Sequence, residues 1–403
     1  LGLVGSEDVY KRQVVTVITG VRMSGKTYLM FQTMMNLVER GVDEKAIFYI
    51  NFEDERIDPR SEFLTELLPA IREEFGVGEK IYLFLDEIHR IPGWERWLRR
   101  NLLRDMYFII SGSSSELMPD QISSVLGGRT KTYIVYPLSF REFLSFKGMD
   151  IKEHIEFSIR KHDVLRLLEE YMLYGGFPEI TLRNSPYEKI GRLQEYFAAI
   201  MYRDIVRRHN IDKPEILEVL LKLLADTTLF SASKMERTMR SIGYRASKAT
   251  ILKYKSYGEK AYFIYQLEIF SPKVKDRLQY PRKVYFIDTG LRRAICKSWA
   301  LSKSRIFENL VFLTLLREKG LLENMGYWRD QEGREVDIVI EQNLRAKALY
   351  QASYEPMEEE TIEREEKALV KAMKQLGVRK GYIVTWDTQS QKTINGKQII
   401  YIP

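Results

Sequence analysis

The chain has 403 residues, too many for one ordinary hydrophobic core, so two to four domains are expected. Apolar residues make up 45% and charged residues 30%, and no apolar run reaches the roughly 18 residues of a membrane-spanning helix, so no membrane partner is expected. The net charge of +7 favours an acidic partner, nucleic acid first; the single cysteine, Cys296, excludes an internal disulfide and fits a reducing, cytoplasmic setting.

The opening "LGLVGSEDVYKRQ", residues 1–13, has little pattern and no apolar core of signal-peptide length. It reads as a non-native leader. From Val14 to Phe146 short apolar runs alternate with helical patterns. The strands are "VVTVITG", "AIFYINF", "IYLFLDE", "MYFIISG" and "KTYIVYPL". Continuous runs of this kind suit a parallel sheet covered on both faces, and residues 14–150 read as one α/β domain. In the first helix Met30, Met34 and Leu37 form a stripe that Phe31, Met35 and Val38 widen, and Gly41 ends it. Residues 151–212 read as helices around a "YGGFPE" turn, a lid or linker. Residues 213–290 read as three helices and two strands, and 291–403 as a final α/β unit.

"GVRMSGKT" matches the phosphate-loop pattern G-x-x-x-x-G-K-[ST] between a strand and a helix, the context that gives the motif its meaning. Gly20 and Gly25 let the backbone through Val21, Arg22, Met23 and Ser24 curl so that its N–H groups face phosphate. The helix start adds to that field. Lys26 reaches the β- and γ-phosphates of ATP, and the Thr27 hydroxyl ligates Mg2+. "IYLFLDEIHR" then supplies Asp86 for the metal and Glu87 to polarise an attacking water. Ser111 or Ser113, at the end of the next strand, is a candidate γ-phosphate sensor, with a plain polar strand end as the alternative. Arg129 in "LGGRT" is a candidate arginine finger or a surface arginine. Arg22 either touches phosphate or points to solvent. His89 either pairs with Glu87 or is a surface residue, and the four histidines show no zinc spacing with Cys296.

"FSASKMERTMRSIGYRASKATILKYKSYGEKAYFI" has helix-turn-helix form. Met235, Met239 and Ile242 line the first helix, Gly243 stops it, and Ser247 caps the next. Ile251, Tyr254, Gly258 and Ala261 face inward. Arg245, Lys248, Lys253 and Lys255 are placed outward, where they suit phosphate and major-groove contact. "YFIYQLEIFS" and "PRKVYFID" would form a wing. The alternative is a protein contact or a spacer.

"EVDIVIEQNLRAKALYQASY" reads as two strands with a short polar turn. Asp337 lies on the first, Gln351 and Ser353 on one face of the second. That is the outline of a metal-dependent nuclease core, which needs several anions to hold its ions. Glu308 and Asp337 suit two ligand places, and Glu335 shares the face of Asp337. Gln351 stands where a further acid is needed, and Ser353 where a lysine is needed. Lys347, Lys367 and Lys371 are the candidates for a migrated lysine. With two key groups lost, cleavage is not expected; a degenerate centre in a retained fold, binding nucleic acid or acting as a structural module, is.

The segments "ITGVRMSGKTYLMFQ", "INFEDER", "LFLDEIHRIPGWERWLRR", "IISGSSSEL" and "YPLSFREFL" resemble a family of prokaryotic, largely archaeal, AAA-type P-loop ATPases. "YGGFPEI", "YRDIV", "KVYFIDTGL" and "ENLVF…WRDQEGREVDIVI" resemble the C-terminal domain that accompanies them. The resemblance covers nearly everything after residue 13. It implies an ATPase core, a winged-helix segment and a restriction-endonuclease-like domain. The expected activity is Mg2+-dependent ATP hydrolysis driving a switch or motor coupled to DNA, possible also as a homo-oligomer. An ATP-dependent nuclease and a signalling ATPase whose later domains bind protein are the alternatives.

Overall fold

The computed structural model describes residues 14–76, 80–102, 106–113, 117, 122, 124, 126–149, 161–296, 303–320, 322–354 and 359–403. The leader and the expected boundary at 150 lie outside them. The chain forms two compact units. One comprises Leu1–Pro137 with Arg203–Arg208 and Lys260–Tyr262; the other comprises Leu138–Tyr202, His209–Glu259 and Phe263–Pro403.

The first unit is built on five parallel strands: β1 (Val15–Thr19), β2 (Ile47–Asn51), β3 (Ile81–Asp86), β4 (Met106–Gly112) and β5 (Thr130–Ile134). Their order across the sheet is β2-β3-β4-β1-β5. A strand covered on both faces must be apolar on both, and β3 is buried at every position. One core layer includes Val15, Val17, Leu83, Leu85, Trp97 and Phe108; the other includes Ile18, Met30, Leu37, Tyr82, Phe84 and Ile109. Three helices contribute: α1 (Lys26–Glu39), α2 (Ser61–Phe75) and α3 (Trp94–Asn101). The buried stripe of α1 is narrower than expected. Met30, Thr33 and Leu37 are buried, while Phe31, Met35 and Val38 are exposed. Gly41 follows α1 at a φ of 86°, as a helix stop requires.

Because every strand is parallel, the loops after β1, β3 and β4 leave the same edge of the sheet. β4 lies between β1 and β3, so its end falls between the phosphate loop and Asp86.

The second unit contains a nine-stranded sheet. Its strands are β6 (Leu229–Phe230), β7 (Ile264–Ile269), β8 (Arg282–Phe286), β9 (Met325–Arg329), β10 (Glu335–Gln342), β11 (Arg345–Ser353), β12 (Lys380–Thr385), β13 (Ser390–Ile394) and β14 (Lys397–Ile402). They run in the order β13-β14-β12-β11-β10-β9-β7-β8-β6. The expected wing strands β7 and β8 pair antiparallel, but β7 also pairs with β9. The sheet therefore runs unbroken across residue 290. β10 and β11 form the expected hairpin, with Asn343 (φ 54°) and Leu344 (φ 57°) both left-handed, the geometry of a two-residue type I′ turn. Leu369, Ala372 and Met373 of the helix Glu359–Gln375 pack with Val336, Val339, Leu349 and Ile383 of the sheet.

The helix-turn-helix pair is Ala232–Ser241 and Lys248–Lys260. Met235 and Met239 are buried, Gly243 has a φ of 91°, and the Ser247 hydroxyl accepts the Thr250 N–H at 3.1 Å. Ile242, expected inside, is exposed. Lys255, expected outside, is buried: its ammonium donates to Gln266 Oε1, lies 3.9 Å from Glu259, and burial lowers its pKa to about 8. The inward face is Ile251, Lys255 and Gly258, so Tyr254 is only half-buried. The phase follows the four-residue step from Ile251, which carries a lysine inward. Arg245, Lys248 and Lys253 are exposed as expected.

Candidate nucleotide-binding site

Gly20 has a φ of 142°, and a Cβ there would lie 2.3 Å from the Val135 carbonyl oxygen, so only glycine fits. Met23 (φ 65°) and Gly25 (φ 100°) are left-handed, and the loop Gly20–Thr27 curls into the start of α1. The Lys26 ammonium is buried and donates to the Gly20 and Val21 carbonyls at 3.1 and 3.0 Å. Burial lowers its pKa, against the charges of Glu87, Asp204 and Asp86. The Ser24 hydroxyl is buried without a hydrogen-bond partner. An orphaned donor and an ammonium resting on its own loop both fit a phosphate. Thr27 donates to Asp86 Oδ2 at 2.7 Å and Tyr49 donates to the same oxygen at 2.9 Å, while Ser111 donates to Asp86 Oδ1. Thr27 and Asp86 thus offer adjacent oxygens of the hard type that Mg2+ takes.

Glu87 follows in the left-handed region (φ 55°) and is buried. Burial pushes its pKa up, opposed by Lys26 and Arg22 and assisted by Asp86 and Glu53. Ser113 faces it with its N–H at 3.4 Å and its hydroxyl at 3.5 Å. His89 Nδ1 lies 3.5 Å from Glu87 Oε2, and its Nε2 lies 3.0 Å from an Arg208 guanidinium nitrogen. Arginine only donates, so Nε2 carries no proton and Nδ1–H faces Glu87. Burial, then the charges of Arg208, Arg90, Arg22 and Lys26, depress the His89 pKa to about 3. Gly112 makes room for this ring, since a Cβ there would lie 2.7 Å from His89 Nδ1.

Arg22 is neither on solvent nor free to swing. It grips Asp204 through Nε (3.2 and 3.1 Å) and a terminal nitrogen (2.9 Å), and reaches Glu53 at 3.0 Å. Arg90 donates to the same Glu53 oxygen at 2.9 Å. Glu53, His89, Arg208 and Asp204 thus form a shell around the phosphate loop. Of these only His89 is weighed in the sequence reading; Glu53 and Asp204 sit in the quoted segments "INFEDER" and "YRDIV". Asp204 lies in a π-helix, Ile200–Arg207, a geometry found often at functional sites. Arg129 is not brought to this site. It is exposed and precedes β5, beside Val15 at the start of β1, whereas the phosphate loop leaves the far end of β1 after Thr19.

In the second unit Glu308, Asp337 and Gln351 do converge. Asp337 N–H donates to Gln351 Oε1 at 3.2 Å, and Ala352 N–H donates to Asp337 Oδ2 at 2.9 Å. Ser353 is buried on the same strand. The cation at this centre is none of the three lysines weighed from sequence. Lys347 is exposed, Lys367 pairs with Glu363, and Lys371 with Asp330 and Glu332. It is Lys283, on β8.

A parallel sheet of this order, a phosphate loop between β1 and α1, and paired acids at the end of β3 define a P-loop nucleotide-binding domain. Residues 12–144 match the AAA domain family, and two domains of unknown function follow, DUF8612 over 165–302 and DUF4143 over 303–403. An uncharacterized protein of Methanocaldococcus jannaschii is 37% identical over 367 residues, covering 90% of this chain and 79% of the relative. One of Haemophilus influenzae is 30% identical over 401 residues, covering 96% and 93%. The chain belongs to the family these two proteins represent, with an AAA-type P-loop ATPase domain at its head. Among solved structures it is similar to the Walker-type ATPase of Pyrococcus abyssi, with a TM-score of 0.46 at 15% identity over 70% of this chain and 90% of that one.

Proposed function

We propose that the protein is a Mg2+-dependent ATPase, hydrolysing ATP to ADP and phosphate, and that it works as a switch or motor coupled to DNA. The observation that carries the hydrolytic reading is the gathering of Lys26, the Thr27–Asp86 pair and Glu87 at one edge of the sheet. Lys26 and the loop amides hold the phosphates. Thr27 and Asp86 hold Mg2+, which offsets phosphate charge. Glu87, its proton affinity raised by burial, accepts the proton of the attacking water, and the Ser113 N–H and hydroxyl hold it in place. Ser111, bonded to Asp86, is the better candidate for relaying the state of the metal site; Ser113, beside Glu87, for relaying that of the γ-phosphate. Arg129 suits the site of a neighbouring copy, because it lies exposed at the end of β1 opposite its own phosphate loop.

The DNA reading rests on the exposed Arg245, Lys248 and Lys253 around the start of the helix Lys248–Lys260, together with the net charge of +7. Phosphate release with and without duplex DNA, over a salt series, tests it. Stimulation at low salt that fades steeply above physiological salt is expected, and substituting these three residues with alanine should remove it. Absence of binding and stimulation at every salt would favour a protein partner instead. Shortened DNA in the same reaction, abolished by Asp337→Ala, would favour the nuclease alternative.

A further inference from the structure

We infer that the ammonium of Lys283 is the resident cation of the nuclease-like centre in the second unit, standing where a divalent metal would otherwise be held, so that the native chain binds no metal there. Lys283 Nζ lies 2.8 Å from Glu308 Oε1, 2.7 Å from Glu335 Oε1 and 2.7 Å from Asp337 Oδ1. The contacts to Glu308 and Asp337 are hydrogen bonds, and the contact to Glu335 completes a three-acid ion-pair cluster around the ammonium. The three acids come from two elements. Glu308 is on the helix Lys303–Lys319, and Glu335 and Asp337 are two apart on β10 and so share a face. Lys283 enters from β8 and is only 1% exposed.

This is a cation site in every respect except the identity of the cation. Oxygens from separate elements point at one buried position, as hard divalent ions require. The remaining contacts lock the arrangement. Tyr285, two residues along β8, donates to Glu308 Oε1 at 2.8 Å. Ala352 N–H holds the other Asp337 oxygen, and Arg329 lies 3.9 Å from the other Glu335 oxygen. Asp337 is buried and Glu308 and Glu335 are partly buried, so gathering the three without a cation would be unfavourable. A metal ion would need those same three oxygens at roughly 2.0–2.2 Å, inside the volume that the ammonium fills. The two cations exclude each other. With the ammonium in place these three acids are not disposed to hold a metal ion, nor is any other group of three or more His, Cys, Asp or Glu among the described residues. The missing acid at Gln351 and the missing lysine at Ser353 then have one cause. A centre with a covalently attached cation needs neither a further metal ligand nor a second ammonium.

The test is Mn2+ binding to the full chain without nucleotide, followed by electron paramagnetic resonance and thermal unfolding. In the native chain Asp337→Asn is expected to leave bound Mn2+ unchanged, because none is held at this centre. Lys283→Ala and Lys283→Met are expected to gain about one Mn2+ per chain, with a rise in Tm on adding Mn2+ that a second change, Asp337→Asn, cancels. Mn2+-dependent folding of a Lys283 variant that is unfolded in chelator would support the same conclusion. Native Mn2+ binding that Asp337→Asn abolishes would overturn it, as would a folded Lys283→Ala chain that gains no site. If neither variant folds under any condition, the comparison of native chain with Asp337→Asn decides.

Discussion

His89 shows how burial sets chemistry one residue at a time. Its ring is trapped between Glu87 and Arg208, and it is held neutral far below the pH at which an exposed histidine would charge. The folded pKa of about 3 lies below the ordinary 6.5. Between those values the unfolded chain binds the proton and the folded chain does not, so stability is lost as pH falls from about 6.5 towards 3. From pH 6.5 to pH 5 the loss from this residue is about 2 kcal/mol. Urea unfolding at pH 7 and pH 5 should show His89→Gln losing less stability than the native chain by about that amount; equal losses would refute the assignment. The sequence spacing marks His89 as a possible partner of Glu87 but cannot show Arg208, which lies 119 residues away. Arg22 is similar. Its position in the loop is plain, yet its partner Asp204 is 182 residues distant. Pattern reading finds neighbours in sequence, and these pairs exist only through the fold.

At the scale of elements, the phosphate loop, β3 with its acids and the parallel sheet follow from local patterns, because continuous apolar strands and a glycine-bounded loop have few other structures open to them. Helix phase is less legible in the sequence. The periodicity around Phe31 and Met35 widens a stripe that the sheet covers only in part, with Met35 left exposed, and Lys255 takes the inward place that periodicity gives to Tyr254. In both cases the face is chosen by the neighbouring element, not by the helix. The supposed boundary at 290 is a further instance: wing-like strands and terminal strands have the same local pattern, and only pairing between β7 and β9 joins them. A chain ending at residue 290 would leave β7 without β9, Lys283 without its three acids, and Phe286 without the two 2.8 Å bonds to Asn309. Such a chain is expected to aggregate or to lack a cooperative transition by circular dichroism. A soluble chain with a sharp transition would show the boundary to be real.

Over the whole molecule, two units carry two buried clusters of opposite design. In the first, the Lys26 ammonium rests on its own loop carbonyls and the Ser24 hydroxyl has no partner, an arrangement that suits a site that binds and releases phosphate. In the second, Lys283 already lies within 2.8 Å of all three acids, so the charge a ligand cation would bring is supplied by the chain itself. Turnover is therefore assigned to the first cluster. The most direct test is phosphate release from ATP with Mg2+, beside equilibrium nucleotide binding, for the native chain, Lys26→Ala and Glu87→Gln. Lys26→Ala is expected to lose binding and turnover together. Glu87→Gln is expected to bind ATP nearly as the native chain does and to lose turnover by about 10²–10⁴-fold. Tight ATP binding by Lys26→Ala, or undiminished turnover by Glu87→Gln, would contradict this account.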